Sequence, residues 1–427
     1  MSTQSTPSIL FTHRSPQQGF RLLELPPALA ELLSSDSPPT LELKSPAPAT
    51  STRNGSSTTV PSSEYVNLCT PSETYSVRQV QSSNSLHILR PSNGFGVNKN
   101  DLRIVGAAGS EQEDGGGDID MDTENEKDLN IEGMVTSVAK CGWTLELHKS
   151  ADGFSAKPFF RSLLKVYDKG IWEDGNENKG WEPSMAEAEA TNVRTEALDG
   201  LLADVPVSRA QCKRDWVEIC AFVLPRGSAA PRNNKMSLCW MPSAEMKLEV
   251  WKRVVEGSVL QGIDLGAQFL VNDLWKSVLD DEGLAPFPRP LFEAVVRRIC
   301  ELPEGAERDF AESEMKWSSI DKTTCIRWVG EIYLEAKATG TTSAIDESEF
   351  INVWKDQLPE SWREDVSKSI LPDNCYIHPE PKTICFATET DRQKVKKNLP
   401  TDTNAATAAK KTRNWHELFK NQKRQKR

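Results

Sequence analysis

The residue types that most often do chemistry are scattered in this sequence. Its five histidines, His13, His87, His148, His378 and His416, fall in different segments, and none stands at metal-ligand spacing from another His or Cys. The nine cysteines form no CxxC pair and show no regular spacing, which argues for a reducing compartment and against a disulfide scaffold. Cys212, Cys220 and Cys325 sit inside apolar helical patterns, as buried thiols do. There is no GxxxxGK[ST] phosphate loop, and the glycines of "EDGGGD" stand among acids that repel phosphate. "LWKSVLDDEG" has the look of an acidic strand end at a nucleotide site, but without a phosphate loop it reads as a helix end. No cofactor and no catalytic activity are expected, and binding is the chemistry left.

Charge is segregated along the 427 residues, and that matters more than the net −11. Residues 111–128, "EQEDGGGDIDMDTENEKD", hold nine acidic side chains and one Lys. The final "KKTRNWHELFKNQKRQKR" holds eight basic side chains, Lys410, Lys411, Arg413, Lys420, Lys423, Arg424, Lys426 and Arg427, against one Glu. These two basic groups resemble a nuclear import signal, and attraction to phosphates is the direct alternative. Between them "NWHELF" places Trp415, Leu418 and Phe419 at i, i+3, i+4, a short amphipathic turn suited to docking on protein rather than reading bases. The opening "MSTQSTPSIL" lacks the charged and apolar regions of a secretory signal, and no apolar run is long enough to span a bilayer. A nuclear, soluble protein is expected.

The elements that must position any binding surface change period part-way along. "LCTPSETYSVRQVQSSNSLHIL" (68–89) alternates as a sheet requires, with Leu68, Tyr75, Val77, Val80, Leu86 and Ile88 as its apolar positions. Turn chemistry at "TPSE" and "SSNS" predicts three short antiparallel strands there. "ILFTH" and "FRLLEL" read as strands around a turn at "RSPQQG", Pro26-Pro27 opens a helical turn, and "LELKSP" and "MVTSVAKCGWTLELHKS" add strands. The stretch 1–150 is predicted to be one antiparallel β domain with disordered inserts at 47–63 and 106–130.

From about 155 the apolar spacing becomes helical. Ser208 caps "RAQCKRDWVEICAFVLP", after which "MSLCWMP" is a strand. "SEFINVWKDQL" and "SWREDVSKSIL" read as two amphipathic helices before a hairpin, "CYIHPEPKTICFAT". Helix, helix, hairpin is the winged variant of the helix-turn-helix. The prediction is an α+β multidomain chain with tandem winged-helix units at 155–245, 246–340 and 345–427. Arg209, Lys213 and Arg214 on one helix face, and Arg363, Lys368 and Lys382 in the last unit, are candidates for phosphate contact. A solvated polar face is the competing reading for each set. Trp216, Trp354 and Trp362 are core residues by their spacing.

"LPPALAELL", "LKSP", "VNLCTPSETYSVRQVQSSNSLHIL" and "EFINVWKDQLPESW" together resemble the "defective in sister chromatid cohesion" family, accessory subunits of the alternative replication factor C clamp loader. The resemblance implies that the β region completes a barrel-like module with the large and small cohesion-type subunits. It also implies winged helices that bind DNA, single- or double-stranded, and DNA polymerase epsilon, with the sliding clamp PCNA an indirect partner. ATP hydrolysis would belong to other subunits, and the partner-facing residues would be the six apolar ones of 68–89. The alternative is a winged-helix, sequence-specific transcription regulator, which would discriminate strongly among duplex sequences.

Overall fold

The computed structural model describes residues 11–45, 65–92, 134–150, 153–168, 187–224, 238–301, 315–388 and 391. Both expected inserts and the basic tail lie outside the described residues. The chain is mixed α and β and divides into two compact units, one reaching Phe154 and taking in Asp204–Gln211, the other formed by the remainder.

The N-terminal unit is a six-stranded sheet built on two long strands, β5 (Thr74–Ser92) and β6 (Met134–His148), which pair antiparallel. The other strands are β1 (Phe11–Gly19), β2 (Leu22–Glu24), β3 (Glu42–Lys44) and β4 (Val66–Cys69), and the order is β1-β6-β5-β4-β3 with β2 also on β6. The sheet forms no closed barrel and is mixed rather than antiparallel, because β1 and β2 both run parallel to β6. They lie one after the other along that strand, at Val135–Lys140 and at Thr144–Glu146.

Of the turns read from sequence, "TPSE" forms. Thr70 Oγ1 accepts from the Glu73 N–H (2.9 Å), the Thr70 N–H donates to Glu73 O (2.9 Å), and Leu68 faces Tyr75 across the hairpin. "RSPQQG" and "SSNS" do not reverse the chain. Each is a register irregularity within a continuous strand, between His13 and Gln18 and between Gln81 and Leu86. Turn-forming residues interrupt a ladder without ending it where the flanking segments share one long partner, and Pro16 has no N–H to contribute. One short helix, α1 (Pro27–Leu33), starts at a proline and lays Leu29 on Leu68 and Tyr75.

The second unit repeats one order of elements three times. First come α2 (Lys157–Leu163), β7 (Lys165–Tyr167), α3 (Glu187–Asp204), α4 (Arg209–Glu218), β8 (Phe222–Val223) and β9 (Cys239–Pro242), in sheet order β7-β9-β8. Next are α5 (Ala244–Gln261), β10 (Phe269–Leu270), α6 (Val271–Val278), α7 (Arg289–Ile299) and β11 (Trp317–Ser318), with a bridge from Cys300 to Ile320. Last are α8 (Lys322–Lys337), β12 (Ile345–Asp346), α9 (Glu347–Asp356), two 3-10 helices (Glu360–Asp365 and Lys368–Ile370), β13 (Tyr376–Ile377) and β14 (Thr383–Phe386), in order β12-β14-β13. "SWREDVSKSIL" is thus not one α-helix. Ser367 Oγ takes the Ser369 N–H, and such local side-chain bonds compete with the helical ladder. Ser208 does cap α4, accepting from the Gln211 N–H.

One apolar core runs from Tyr167 through all three groups to Cys385. Two buried indoles tie its helices together: Trp251 Nε1–H donates to Gln357 O (2.8 Å) and Trp354 Nε1–H to Ile326 O (2.9 Å). Trp354 also stacks on Phe350 at 5.3 Å. Gly330 of α8 lets that ring approach, since a Cβ there would lie 2.7 Å from two Trp354 ring carbons and 3.1 Å from Leu371. Alanine favours a helix over glycine by roughly 1 kcal/mol. Gly330→Ala is nevertheless expected to destabilise, because overpacking a ring fixed on three sides costs about 1–3 kcal/mol. A lowered urea midpoint checks this; a raised one contradicts the packing argument.

Candidate partner and nucleic-acid interfaces

The six apolar positions of 68–89 divide into two sets. Leu68 (4% exposed) and Tyr75 (6%) are internal, forming with Leu29 a small core on which Val77, Leu33, Leu41 and Leu147 pack. Val80 is half-buried. Leu86 and Ile88, each 47% exposed, stand further along β5, past the residues that α1 covers. Strand alternation puts these two on one face and His87 and Leu89 on the other. On that second face the Phe11 ring meets His87 edge-on at 6.5 Å, and Phe11 and Leu89 are both exposed. This end of the sheet therefore presents apolar side chains on both faces. Eleven of the sixteen exposed large apolar side chains among the described residues belong to the N-terminal unit, although it is the smaller of the two. Its outermost strand, β3, carries Leu43 at 70% exposed.

The other end of the sheet is closed by a distant piece of chain. Thr74 Oγ1 accepts from the Ser208 N–H (2.7 Å) and donates to Gln211 Oε1 (2.6 Å), which also accepts from Ser208 Oγ (2.8 Å). Asn67 Nδ2 donates to Pro206 O (2.7 Å), and the Ala210 N–H to Pro71 O (3.0 Å). Thr74, Ser208, Gln211 and Asn67 are all buried, so the segment 204–211 completes the fold of the sheet rather than decorating it.

The basic candidates are less concentrated than their sequence suggests. Arg209 and Arg214 are exposed on α4, and Lys213 is half-buried. Arg363 Nε donates to Leu358 O (3.2 Å). Lys368 pairs with Glu347 (2.8 Å), whose carboxylate raises its pKa and holds it charged. Lys382 lies beside the same acidic helix start, where the Glu347 N–H donates to Lys382 O (2.9 Å). The Asp346 carboxyl there is pushed down by bonds from Ser348 and the Glu349 N–H, with Lys382 adding a smaller pull. Lys368 and Lys382 thus each act on a carboxylate at the start of α9, Glu347 and Asp346 respectively, which offsets their attraction for phosphate. Lys410, Lys411, Arg413, Lys420, Lys423, Arg424, Lys426 and Arg427 lie outside the described residues.

Among the described residues no group of three or more His, Cys, Asp or Glu is placed to hold a metal ion. All nine cysteines are buried and none is in a disulfide. Burial pushes the Cys220 thiol to about 11 and Cys239 to about 12, leaving both protonated at neutral pH. No helix among the described residues is long and apolar enough to cross a membrane.

The family model described as Sister chromatid cohesion protein Dcc1 matches residues 20–404. The chain belongs to the Dcc1 family. Membership implies a role in sister chromatid cohesion. No curated protein matches the chain. The Dcc1 match takes in most of the N-terminal sheet and all three repeated groups of the second unit.

Within this Dcc1 sheet, Phe11, Leu43 and Leu89 are exposed apolar positions that alternation alone does not single out. Alternation marks which side chains share a face, not which face another element covers. The closing network yields a direct test. Thr74→Val keeps the shape but leaves the Ser208 N–H without its acceptor and removes one of the two donors to Gln211 Oε1, at a cost of about 1–3 kcal/mol. Thermal unfolding is expected to show that loss, with exposed Ser72→Ala near neutral; equal stability of the two variants contradicts it.

Proposed function

We propose that the chain is a non-catalytic subunit of an alternative replication factor C clamp loader, assembling through its N-terminal sheet with the large and small cohesion-type subunits. The observation that carries this reading is the far end of the sheet, apolar and exposed on both faces at Leu86, Ile88, Leu89 and Phe11. Exposed apolar surface and unpaired strand edges are what a partner covers. In that arrangement the partner chains complete the sheet into a barrel.

The three repeated groups are proposed as winged helices. Supporting this, in each group the strand before the second helix pairs with the last strand of the hairpin or bridge. The pairing is antiparallel in the second and third groups and parallel in the first. The middle group is proposed as a spacer rather than a DNA reader, because most of α7, its third helix, is buried in the shared core. DNA contact is then left to α4 and the basic tail, and the third group, with its mixed charges, docks DNA polymerase epsilon. Tethering the loader near primer ends raises its effective concentration there and supports loading and unloading of the PCNA clamp. The tail directs the protein to the nucleus.

Two experiments test this. Leu86→Asp with Ile88→Asp in the full chain is expected to weaken co-purification of the partner subunits by about a hundredfold or more, since each side chain forfeits roughly 1.5–3 kcal/mol of burial. The melting temperature of the free chain should hardly move. Undiminished co-purification would overturn the assembly reading. Replacing the eight basic tail residues by Gln is expected to flatten the salt dependence of DNA affinity, because every phosphate that the tail no longer neutralises lowers the slope by roughly 0.7–0.9. An unchanged slope would place the DNA-binding surface on α4 instead.

A further inference from the structure

The last turn of α5 is built against the usual pattern for a helix end. It carries no basic residue, and it exposes Val259 (72%) and Leu260 (82%), the two most exposed large apolar side chains among the described residues. The negative end of the helix dipole is here left without a cation of its own helix. Gly257, just before this turn, packs directly on the end of α6, where a Cβ would fall 2.5 Å from Ser277 O. The acidic turn after α6 therefore leaves beside the last turn of α5. That turn is tightly made: Asp280 Oδ1 accepts from the Glu282 and Leu284 N–H groups at 3.0 and 2.7 Å, and Gly283 takes φ +77°. Asp281, Glu282 and Leu284 are left exposed. The cations closest in sequence are already matched on their own helices, Arg253 with Glu249 and Glu256, and Lys276 with Asp273.

We infer that this apolar, acidic surface is the docking site of the chain's own C-terminal segment, residues 410–427. The complementarity is twofold. Trp415, Leu418 and Phe419 supply an apolar stripe for Leu260 and Leu284, and the flanking Lys410, Lys411, Lys420 and Lys423 supply the opposite charge. The acidic stretch at 111–128 matches the tail's charge but offers only Ile119 and Met121 as apolar partners. Asp391 and Trp415 are 24 residues apart. A chain of that length reaches up to roughly 80 Å. Tethering makes even a weak intrinsic contact effective, because the local concentration is of millimolar order. The inference stands on the patch and the tail composition alone and does not depend on the clamp-loader reading.

Zero-length carbodiimide cross-linking of the full chain, read by peptide mass spectrometry in the absence of DNA, tests it. The expected products are intramolecular amides joining Lys420 or Lys423 to Asp280, Asp281 or Glu282. Leu260→Asp, at a side chain too exposed to matter for folding, should lower their yield about tenfold, and Trp415→Ala should do the same from the other side. Links that go instead to Glu111–Asp128 and ignore Leu260→Asp would overturn the inference. So would links found only between two copies of the chain, or no links from the tail lysines to residues 280–282.

Discussion

A sheet that carries apolar side chains on both faces must be covered on both, and the described residues of the N-terminal unit cover only part of it. Its short helix α1 buries Leu29 against Leu68 and Tyr75, and the segment 204–211 closes the same end through Thr74 and Asn67. Past Val80 the strands continue, but these supports do not. Leaving a leucine or isoleucine in water rather than burying it forfeits about 1.5–3 kcal/mol, so the exposed set at Phe11, Leu86, Ile88 and Leu89 is a large unused driving force for association. The division along β4 and β5 follows: Leu68 and Tyr75 hold the sheet together, and Leu86, Ile88 and Leu89 beyond them stay exposed.

The second unit solves the opposite problem. Several of its strands are only two residues long, too little to stand alone. They persist because one core spans all three groups, with Trp251 and Trp354 each filling space and donating its indole N–H to a carbonyl on another segment. Sharing a core has a consequence for function. A helix used to build the block, as α7 is, keeps little surface for contacts outside the core.

Much of this was legible in the sequence, and the failures have a common cause. The helical spacing of "SEFINVWKDQL" marks a helix that forms, because an apolar stripe at that period has one way to be buried. The hairpin at 376–386 and the Ser208 cap are local signals and hold for the same reason. Non-local partners decided the rest. "RSPQQG" and "SSNS" interrupt their strands without ending them because β6 is long enough to pair on both sides of each. The parallel pairing of β1 and β2, the docking of 204–211 on the sheet, and the split between covered and uncovered parts of β5 depend on chain far away in sequence. Dcc1-family membership supplies the biological setting that residue spacing alone does not.

Amide hydrogen exchange on the full chain, alone and with the large and small clamp-loader subunits, tests the central claim most directly. Completion of the sheet by partners predicts strong new protection in strands 81–92 and 134–143, with the amides around Trp354 in the second unit unchanged. Equal exchange of those strands in both states, or protection confined to the second unit, would contradict it.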